Sequence, residues 1–171
     1  MILECLAHDD FAAADWYQKA ADQGYAAAEE ELGSLFYTGR GRAKNYNEAL
    51  KWFGRAADKG SLTAKLFVGL MHYNGEGTPQ NYIVAAHWFG QAAEQGEYQA
   101  QLQLADIYAE GHGVPQDYVQ AYKWIILAAA CWPAWSADRE SSIKARDQFA
   151  AKMTSAQIAE AQKLASEWKP K

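Results

Sequence analysis

Ser141 and Lys144 have the spacing of a serine nucleophile and a lysine base, one helical turn apart. This S-x-x-K pattern occurs in penicillin-recognising serine enzymes, where the lysine helps to take the serine proton. Those enzymes complete the site with S-D-N and K-T-G elements, and neither tripeptide occurs in the sequence. We therefore expect no catalytic residue, and β-lactam hydrolysis is the least favoured function for this chain.

The glycine-rich loops and the histidines predict neither a cofactor nor a metal. Loops 39–41, 75–77 and 111–113 read G-x-G, but each follows a predicted helix, whereas a phosphate-binding loop follows a strand and opens a helix. We therefore predict that they are turns. No histidine stands four residues from another, which argues against a helical metal site. The four histidines are His8, His72, His87 and His112.

Charge, hydropathy and cysteine positions argue against nucleic acid binding, a membrane span and a disulfide scaffold. A net charge of −5 without a clustered basic face argues against nucleic acid. No apolar run reaches the roughly 18–20 residues of a membrane span. Cys5 and Cys131 imply no disulfide scaffold, and the run before Cys5 is too short for a lipoprotein signal. We expect a soluble monomer, cytoplasmic as written, or periplasmic or secreted if an N-terminal signal was removed.

Regularly spaced tryptophans and glycines reveal a repeat of 36 residues without insertions. A fixed period between about 20 and 50 residues is typical of stacked repeat arrays. Within each unit, apolar and small residues recur at helical spacing in two blocks. The blocks end at a glycine suited to a left-handed turn, except that the third unit ends in Cys131 and Trp132. Each repeat is therefore predicted to be a helical hairpin. The landmarks are Trp16, Trp52, Trp88 and Trp124, then Gly24, Gly60 and Gly96, then Gly39, Gly75 and Gly111.

The period fixes the predicted elements. The hairpins pair 25–38 with 45–58, 61–74 with 81–94, and 97–110 with 117–131. A helix over 9–22 precedes them as a half repeat, which is either a native cap or part of a longer array. After the third repeat, helices over 136–152 and 155–168 are expected to cover the end of the stack, the second opened by a capping box of Thr154 and Gln157.

These elements predict a single domain over residues 1–171. Its parts are a half repeat at 9–24, repeats at 25–60, 61–96 and 97–132, and closing helices at 133–171.

The repeat sequence resembles a known family. The chain reads LGSLFYTGRGRAKNYNEALKWFGRAADKG from Leu32, VGLMHYNGEGTPQNYIVAAHWFGQAAEQG from Val68 and LADIYAEGHGVPQDYVQAYKWIILAAA from Leu104. Over residues 10 to 131 it resembles the Sel1-like repeat, a subclass of tetratricopeptide-type helical hairpins. Two residues depart from the family pattern: His72 stands where a tyrosine is usual, and Ala105 stands where a glycine is usual. The resemblance implies an all-α, right-handed superhelix of αα-hairpins with a C-terminal capping helix pair.

The resemblance also implies a binding surface, because the first helix of each hairpin, here called the first-type helix, lines the concave side of tetratricopeptide arrays. The exposed columns there are part apolar and part acidic, and they contain no basic residue. We expect them to hold an extended or helical protein segment with apolar and positively charged side chains. The alternative is that these columns pack against neighbouring repeats. The predicted contact residues are Glu30, Tyr37, Leu66, Tyr73, Asn74, Gln99, Leu102, Asp106 and Glu110.

Two further features have competing interpretations. Trp132 and Trp135 flank Pro133, and they form either a second interface patch or the contact that joins the closing helices to repeat three. The acidic run 29–31 is expected to be a solvated face, although Glu30 shares its column with leucines.

Three function classes follow from these expectations. A non-enzymatic adaptor or scaffold for protein–protein interaction is favoured, since the sequence offers a surface and no chemistry. A dedicated inhibitor, such as an immunity protein against a bacterial toxin, is the alternative. A β-lactam-hydrolysing enzyme comes last.

Overall fold

The computed structural model describes residues 2–131 and 137–171, with side chains described within 10–131 and 139–171. All regular secondary structure in these residues is helical, which confirms the predicted all-α fold of repeated hairpins. The helices are α1 Ile2–Asp22, α2 Ala26–Thr38, α3 Tyr46–Asp58, α4 Leu62–Asn74, α5 Tyr82–Ala93, α6 Tyr98–Glu110, α7 Tyr118–Ala130, α8 Ala137–Ala150 and α9 Ser155–Glu167. The expected start of α1 near residue 9 is wrong, because the preceding residues contain no glycine or proline that would stop the helix.

Each hairpin is closed by the same backbone hydrogen bond. In the first and third repeats, the N–H groups of Asn45 and Asp117 donate to the carbonyls of Phe36 and Tyr108 over 2.9 Å. In the second repeat, the N–H group of Asn81 donates to the carbonyl of His72. The side chains of Asn45 and Asp117 then accept two N–H groups each at the starts of α3 and α7. Such N-caps satisfy donors that have no partner within the helix. The repeat period is thus fixed by local hydrogen bonding as well as by packing.

The G-x-G loops are turns, as predicted. Their first glycines end α2, α4 and α6 in the left-handed conformation. Their second glycines have a further reason to be glycine, because a Cβ on Gly41 would lie 2.1 Å from the carbonyl oxygen of Asp10, and one on Gly77 would lie 2.5 Å from that of Tyr46. The first loop therefore packs directly against the backbone of α1, and the second against the backbone at the start of α3.

The chain divides into two compact units, residues 1–81 and 82–171. Unit 1 contains α1 to α4. Trp52 of α3 is buried in one apolar cluster with Ala21, Ala28 and Leu32. Phe53 stacks on Phe67 with ring centroids 4.7 Å apart.

Unit 2 contains α5 to α9, and both closing helices pack against α7. Trp168, at the end of α9, meets the ring of Trp124 edge to face at 6.4 Å. The capping box of Thr154 and Gln157 is present in both directions, as predicted. The tail is held by Lys171, whose Nζ lies 2.8 Å from the Glu94 carboxylate. The closing helix pair expected from the sequence is therefore confirmed. No described helix is both long and apolar enough to cross a membrane.

Candidate partner-binding site

The predicted contact residues differ in how much solvent they reach. Leu66 is only 4% exposed, so its side chain belongs to the packed interior and its expected role as a contact residue is corrected. The half-buried members are Glu30, Tyr37, Tyr73 and Leu102, and the exposed members are Asn74, Gln99, Asp106 and Glu110. Surface for a partner is therefore offered mainly by polar side chains near the ends of α4 and α6.

Tyr37 is mainly an internal contact of unit 1. Its hydroxyl donates a 2.9 Å hydrogen bond to Glu76, and its ring meets Tyr46 and Phe67 edge to face. Burial, together with the bond to the Glu76 carboxylate and its charge, raises the pKa of Tyr37 to about 12. The tyrosine holds the Glu76 loop against α2, and only part of its ring is free for a partner.

The expectation of a solvated acidic face over residues 29–31 is wrong for its first member. Glu29 is completely buried, and its carboxylate lies 2.8 Å from Arg55 and 2.7 Å from Lys59. Glu30 is half-buried and accepts a hydrogen bond from the Ser61 hydroxyl. Glu31 is the one residue of this run whose side chain is exposed. The first two acids therefore stabilise the fold of unit 1.

The Glu29 cluster, comprising Glu29, Arg55 and Lys59, also serves the end of α1. The guanidinium of Arg55 donates to the carbonyl of Ala21 over 3.4 Å, and the ammonium of Lys59 donates to that of Gly24 over 2.6 Å. Both carbonyls lie at the end of α1, and that of Ala21 also accepts the N–H of Gly24 over 2.9 Å, so Arg55 is its second donor. The two cations thus balance the charge of a buried carboxylate and add donors at a helix end.

In unit 2, Leu102 and Asp106 of α6 line a cavity of about 250 Å³, here called the Asp106 cavity. Helix α8 forms its other wall, so the non-repeated end of the chain builds part of the site. The full lining is Leu102, Gln103, Asp106, Ile125, Ser141, Ser142 and Ala145. The residues on α8 were missed as contact residues, because they lie outside the repeat and no column points to them.

Asp106 lies in an unfavourable place for a negative charge. Its pKa is raised, first because part of its hydration is lost and second because the Glu110 carboxylate is near. No ion pair of either acid occurs within the described parts of the chain. A cation placed at this end of α6 would relieve both effects.

The S-x-x-K pair does not have the contacts of a nucleophile and its base. Ser141 lines the Asp106 cavity, but the Nζ of Lys144 points to Glu140, with an N–O distance of 2.8 Å. That bond lowers the pKa of Glu140, as expected for a carboxylate beside an ammonium ion. A lysine held as the cation of an ion pair is unsuited to accept a proton from serine.

A second cavity of about 210 Å³ separates α7 from α8 elsewhere in unit 2. Its apolar wall contains Ile126 and Ile143, and its polar groups are the basic side chains of Arg139 and Arg146. Arg146 is paired with Asp147 over 2.7 Å. This cavity therefore has the opposite charge to the Asp106 cavity, and it provides an internal comparison for a cationic ligand.

The remaining candidates from the sequence are the tryptophans and the possible metal ligands. Trp132 and Trp135 lie outside the described residues. Trp16 is 71% exposed, whereas the equivalent Trp52 and Trp124 are 4% and 5% exposed. Trp16 served only as a landmark of the repeat, so its exposure was not predicted. Among the residues with described side chains, no group of three histidine, cysteine or acidic residues could hold a metal ion.

Comparison with known proteins agrees with this architecture. The Sel1 repeat family profile matches residues 5–25, 26–61, 63–97 and 99–131. A similar solved structure is c5321, a protective antigen of uropathogenic Escherichia coli strains that displays an SLR fold, with 34% identity and a TM-score of 0.80. Another is a Sel1 repeat protein from Oxalobacter formigenes, with 30% identity and a TM-score of 0.67.

The chain is shorter than both proteins. The first match covers 91% of this chain and 32% of the antigen, and the second covers 85% of this chain and 66% of the Oxalobacter protein. No curated protein matches the sequence.

Proposed function

Because the chain belongs to the Sel1 repeat family, whose members commonly act as protein–protein interaction scaffolds, we propose that it is a non-enzymatic adaptor that binds a protein segment through its first-type helices. The observation that carries this proposal is the exposed, unpaired acidic pair Asp106 and Glu110 beside the Asp106 cavity of unit 2.

The bound segment is expected to combine apolar and basic side chains. Half-buried Leu102 offers apolar surface, while Asp106 and Glu110 offer negative charge at the same end of α6. Complementary charge speeds encounter and selects partners, and partly buried apolar contacts slow dissociation. In unit 1 the exposed Asn74 and the half-buried Tyr73 are further contact candidates.

The test is affinity capture from the native host, followed by mass spectrometry. The binding variant is Asp106→Lys, Glu110→Lys, and the matched control is Asp58→Lys, Glu160→Lys, which makes the same change in net charge. All four acids are exposed and have no ion pair among the described residues. We expect a partner that the wild type and the control recover and the binding variant loses. Equal recovery by all three baits would reject this surface.

The identity of the captured partner decides between the adaptor and the dedicated inhibitor. A single tightly held toxin would favour the inhibitor, and several cellular proteins would favour the adaptor. The enzymatic alternative is tested separately with a chromogenic β-lactam. Turnover by the wild type that Ser141→Ala abolishes would overturn the non-enzymatic proposal.

A further inference from the structure

We propose that the Asp106 cavity is a specificity pocket for one arginine or lysine side chain of the bound segment. This rests on the proposed function and deepens it, because it names the chemical group that unit 2 selects. The inference stands on the size of the cavity, the order of polar and apolar groups along its wall, and the unpaired acids at α6.

The size of the cavity suits a single side chain. Pockets for drug-sized ligands measure about 300–1,000 Å³. The Asp106 cavity measures about 250 Å³, which is too small for such a ligand and sufficient for one extended side chain. A short peptide laid over α6 could therefore place one residue in it, with the rest of the segment outside.

The lining matches a side chain with an apolar stem and a cationic end. Leu102, Ile125 and Ala145 contribute apolar surface, and Asp106, Gln103 and Ser141 contribute oxygen acceptors. Lysine and arginine bury their methylene groups against apolar surface while the charged end stays with polar groups or water. A purely apolar side chain would leave the Asp106 carboxylate without its best partner.

Asp106 differs from the other unpaired carboxylates of unit 2 because it lines a cavity and has lost part of its hydration. Glu94 and Glu140 lie 2.8 Å from lysines, and Asp147 lies 2.7 Å from an arginine. Within the described residues, Asp106 and Glu110 have no such neighbour, although they share one end of α6 and Asp106 has lost part of its hydration. A cation supplied by a partner would give Asp106 the pairing that Glu94, Glu140 and Asp147 have within the chain.

The first experiment uses small probes, so it does not depend on knowing the partner. The complete 171-residue chain is labelled and titrated in NMR with N-acetyl-lysine amide, N-acetyl-arginine amide and N-acetyl-norleucine amide. We expect the two cationic probes to shift signals of Leu102, Asp106 and Ala145. The uncharged norleucine probe should bind about two- to fivefold more weakly, as the loss of one partly exposed charge pair implies.

Two variants test the pocket directly. Asp106→Asn should weaken the cationic probes about fivefold, because the pair of charges is lost, and leave the norleucine probe unchanged. Replacing a carboxylate whose charge is disfavoured by the fold should not lower the melting temperature, so lost binding cannot be ascribed to unfolding. Ala145→Leu should weaken all three probes by filling the cavity. The control Glu160→Gln removes an exposed carboxylate elsewhere and should change nothing.

Several outcomes would overturn the pocket. Equal binding of the norleucine and lysine probes, unchanged affinity in Asp106→Asn, or shifts confined to the Arg139 side of α8 would each reject it. Failure here together with successful partner capture would reject the pocket and retain the adaptor. Probe binding at Asp106 with no captured partner would support the pocket chemistry and reject the adaptor.

Discussion

The two units of the chain satisfy the same helix end by different chemistry. Glu29 in unit 1 and Gln101 in unit 2 are separated by two repeat periods, and both are completely buried or nearly so. In unit 1 the carbonyl of Ala21 accepts from Arg55, which also pairs with Glu29. In unit 2 the equivalent carbonyl, that of Ala93, accepts directly from the Gln101 amide over 3.2 Å. Both carbonyls also accept a backbone N–H, from Gly24 and Gly96, so the side chain adds a second donor, which is charged in unit 1 and neutral in unit 2.

The residues around Glu29 and Gln101 differ as well, from charged in unit 1 to uncharged in unit 2. The positions of Arg55 and Lys59 in unit 1 correspond to Leu127 and Cys131 in unit 2, so the two cations of unit 1 have uncharged equivalents in unit 2. The Lys59 ammonium covers Gly24, whereas the equivalent Gly96 lies beside Trp168 and Pro170 of the tail. Unit 2 therefore replaces an ionic cluster with a neutral amide and a C-terminal segment.

The largest expected effect comes from giving unit 1 the neutral surroundings of unit 2. The double variant Arg55→Leu, Lys59→Met leaves the buried Glu29 carboxylate without a counterion. Removing the partners of a buried charge costs about 3–5 kcal/mol of stability, and we expect about 3 because the carboxylate can relieve part of the cost by taking a proton. Urea unfolding followed by circular dichroism measures this loss.

The control adds Glu29→Gln to the double variant, which completes the exchange of the ionic cluster for the neutral residues. A buried amide with imperfect hydrogen bonds costs less than an uncompensated charge, so the triple variant should regain about 1–2 kcal/mol. If the triple variant is no more stable than the double variant, the loss comes from packing or from the helix end, and the comparison of the two units fails.

The reverse exchange predicts a somewhat smaller, pH-dependent loss in unit 2. Gln101→Glu places a carboxylate where no described cation can meet it, and about 2–3 kcal/mol should be lost at pH 7. Burial without a cation raises the pKa of such a carboxylate in the folded state. The fold then favours the protonated form, so the loss is complete above that raised pKa and decreases as the pH falls through it.

Urea unfolding at pH 7.5 and pH 5.0 checks this prediction, with the wild type as reference at each pH. Adding Leu127→Arg should recover part of the stability at pH 7.5, because it restores the cation that unit 1 has at Arg55. A loss that is independent of pH, or that the arginine does not reduce, would show that the position does not discriminate by charge.

The repeat helices could be predicted closely from the sequence because their signals are local and periodic. Each repeat has its own helical pattern, its own terminal glycine and its own N-cap, so a single register fixes all three hairpins. The predicted starts precede the observed ones by one residue, since they include capping residues such as Asn45 and Ser61, which lie outside the helix proper. The start of α1 was missed because no stop signal or repeat landmark occurs there.

The site could be predicted only in part, because burial and tertiary neighbours are not periodic. The repeat columns identified Asp106 and Glu110, which are exposed as expected. They did not reveal that α8 completes the Asp106 cavity, since Ser141 belongs to no repeat. The burial of Glu29 was also missed, although its column continues with Lys65 and Gln101, polar residues that are buried as well. The available signal was that these polar residues directly follow Ala28, Ala64 and Ala100, which are buried at the same repeat position.

The smallest expected effect concerns His72 in unit 1, whose equivalent in unit 2 is Tyr108. The Nδ1 atom of His72 is buried and has no hydrogen-bond partner among the described residues. Burial lowers the pKa of this imidazole below its usual value of 6.5, because the charged ring would lose hydration. The fold therefore favours the neutral ring, and protonation must weaken the fold.

The sign of the pH effect follows from linkage. The stability that neutral His72 contributes is complete above about pH 6.5, and it decreases as the pH falls toward the lowered pKa of the folded state. His72→Tyr, which installs the residue type of unit 2, should reduce the difference between urea midpoints measured at pH 7.5 and pH 5.5. The exposed His87, changed to Gln, is the control and should leave that difference nearly as in the wild type. An unchanged difference in His72→Tyr would mean that the aromatic column tolerates a charged ring, and that this position does not distinguish the two units.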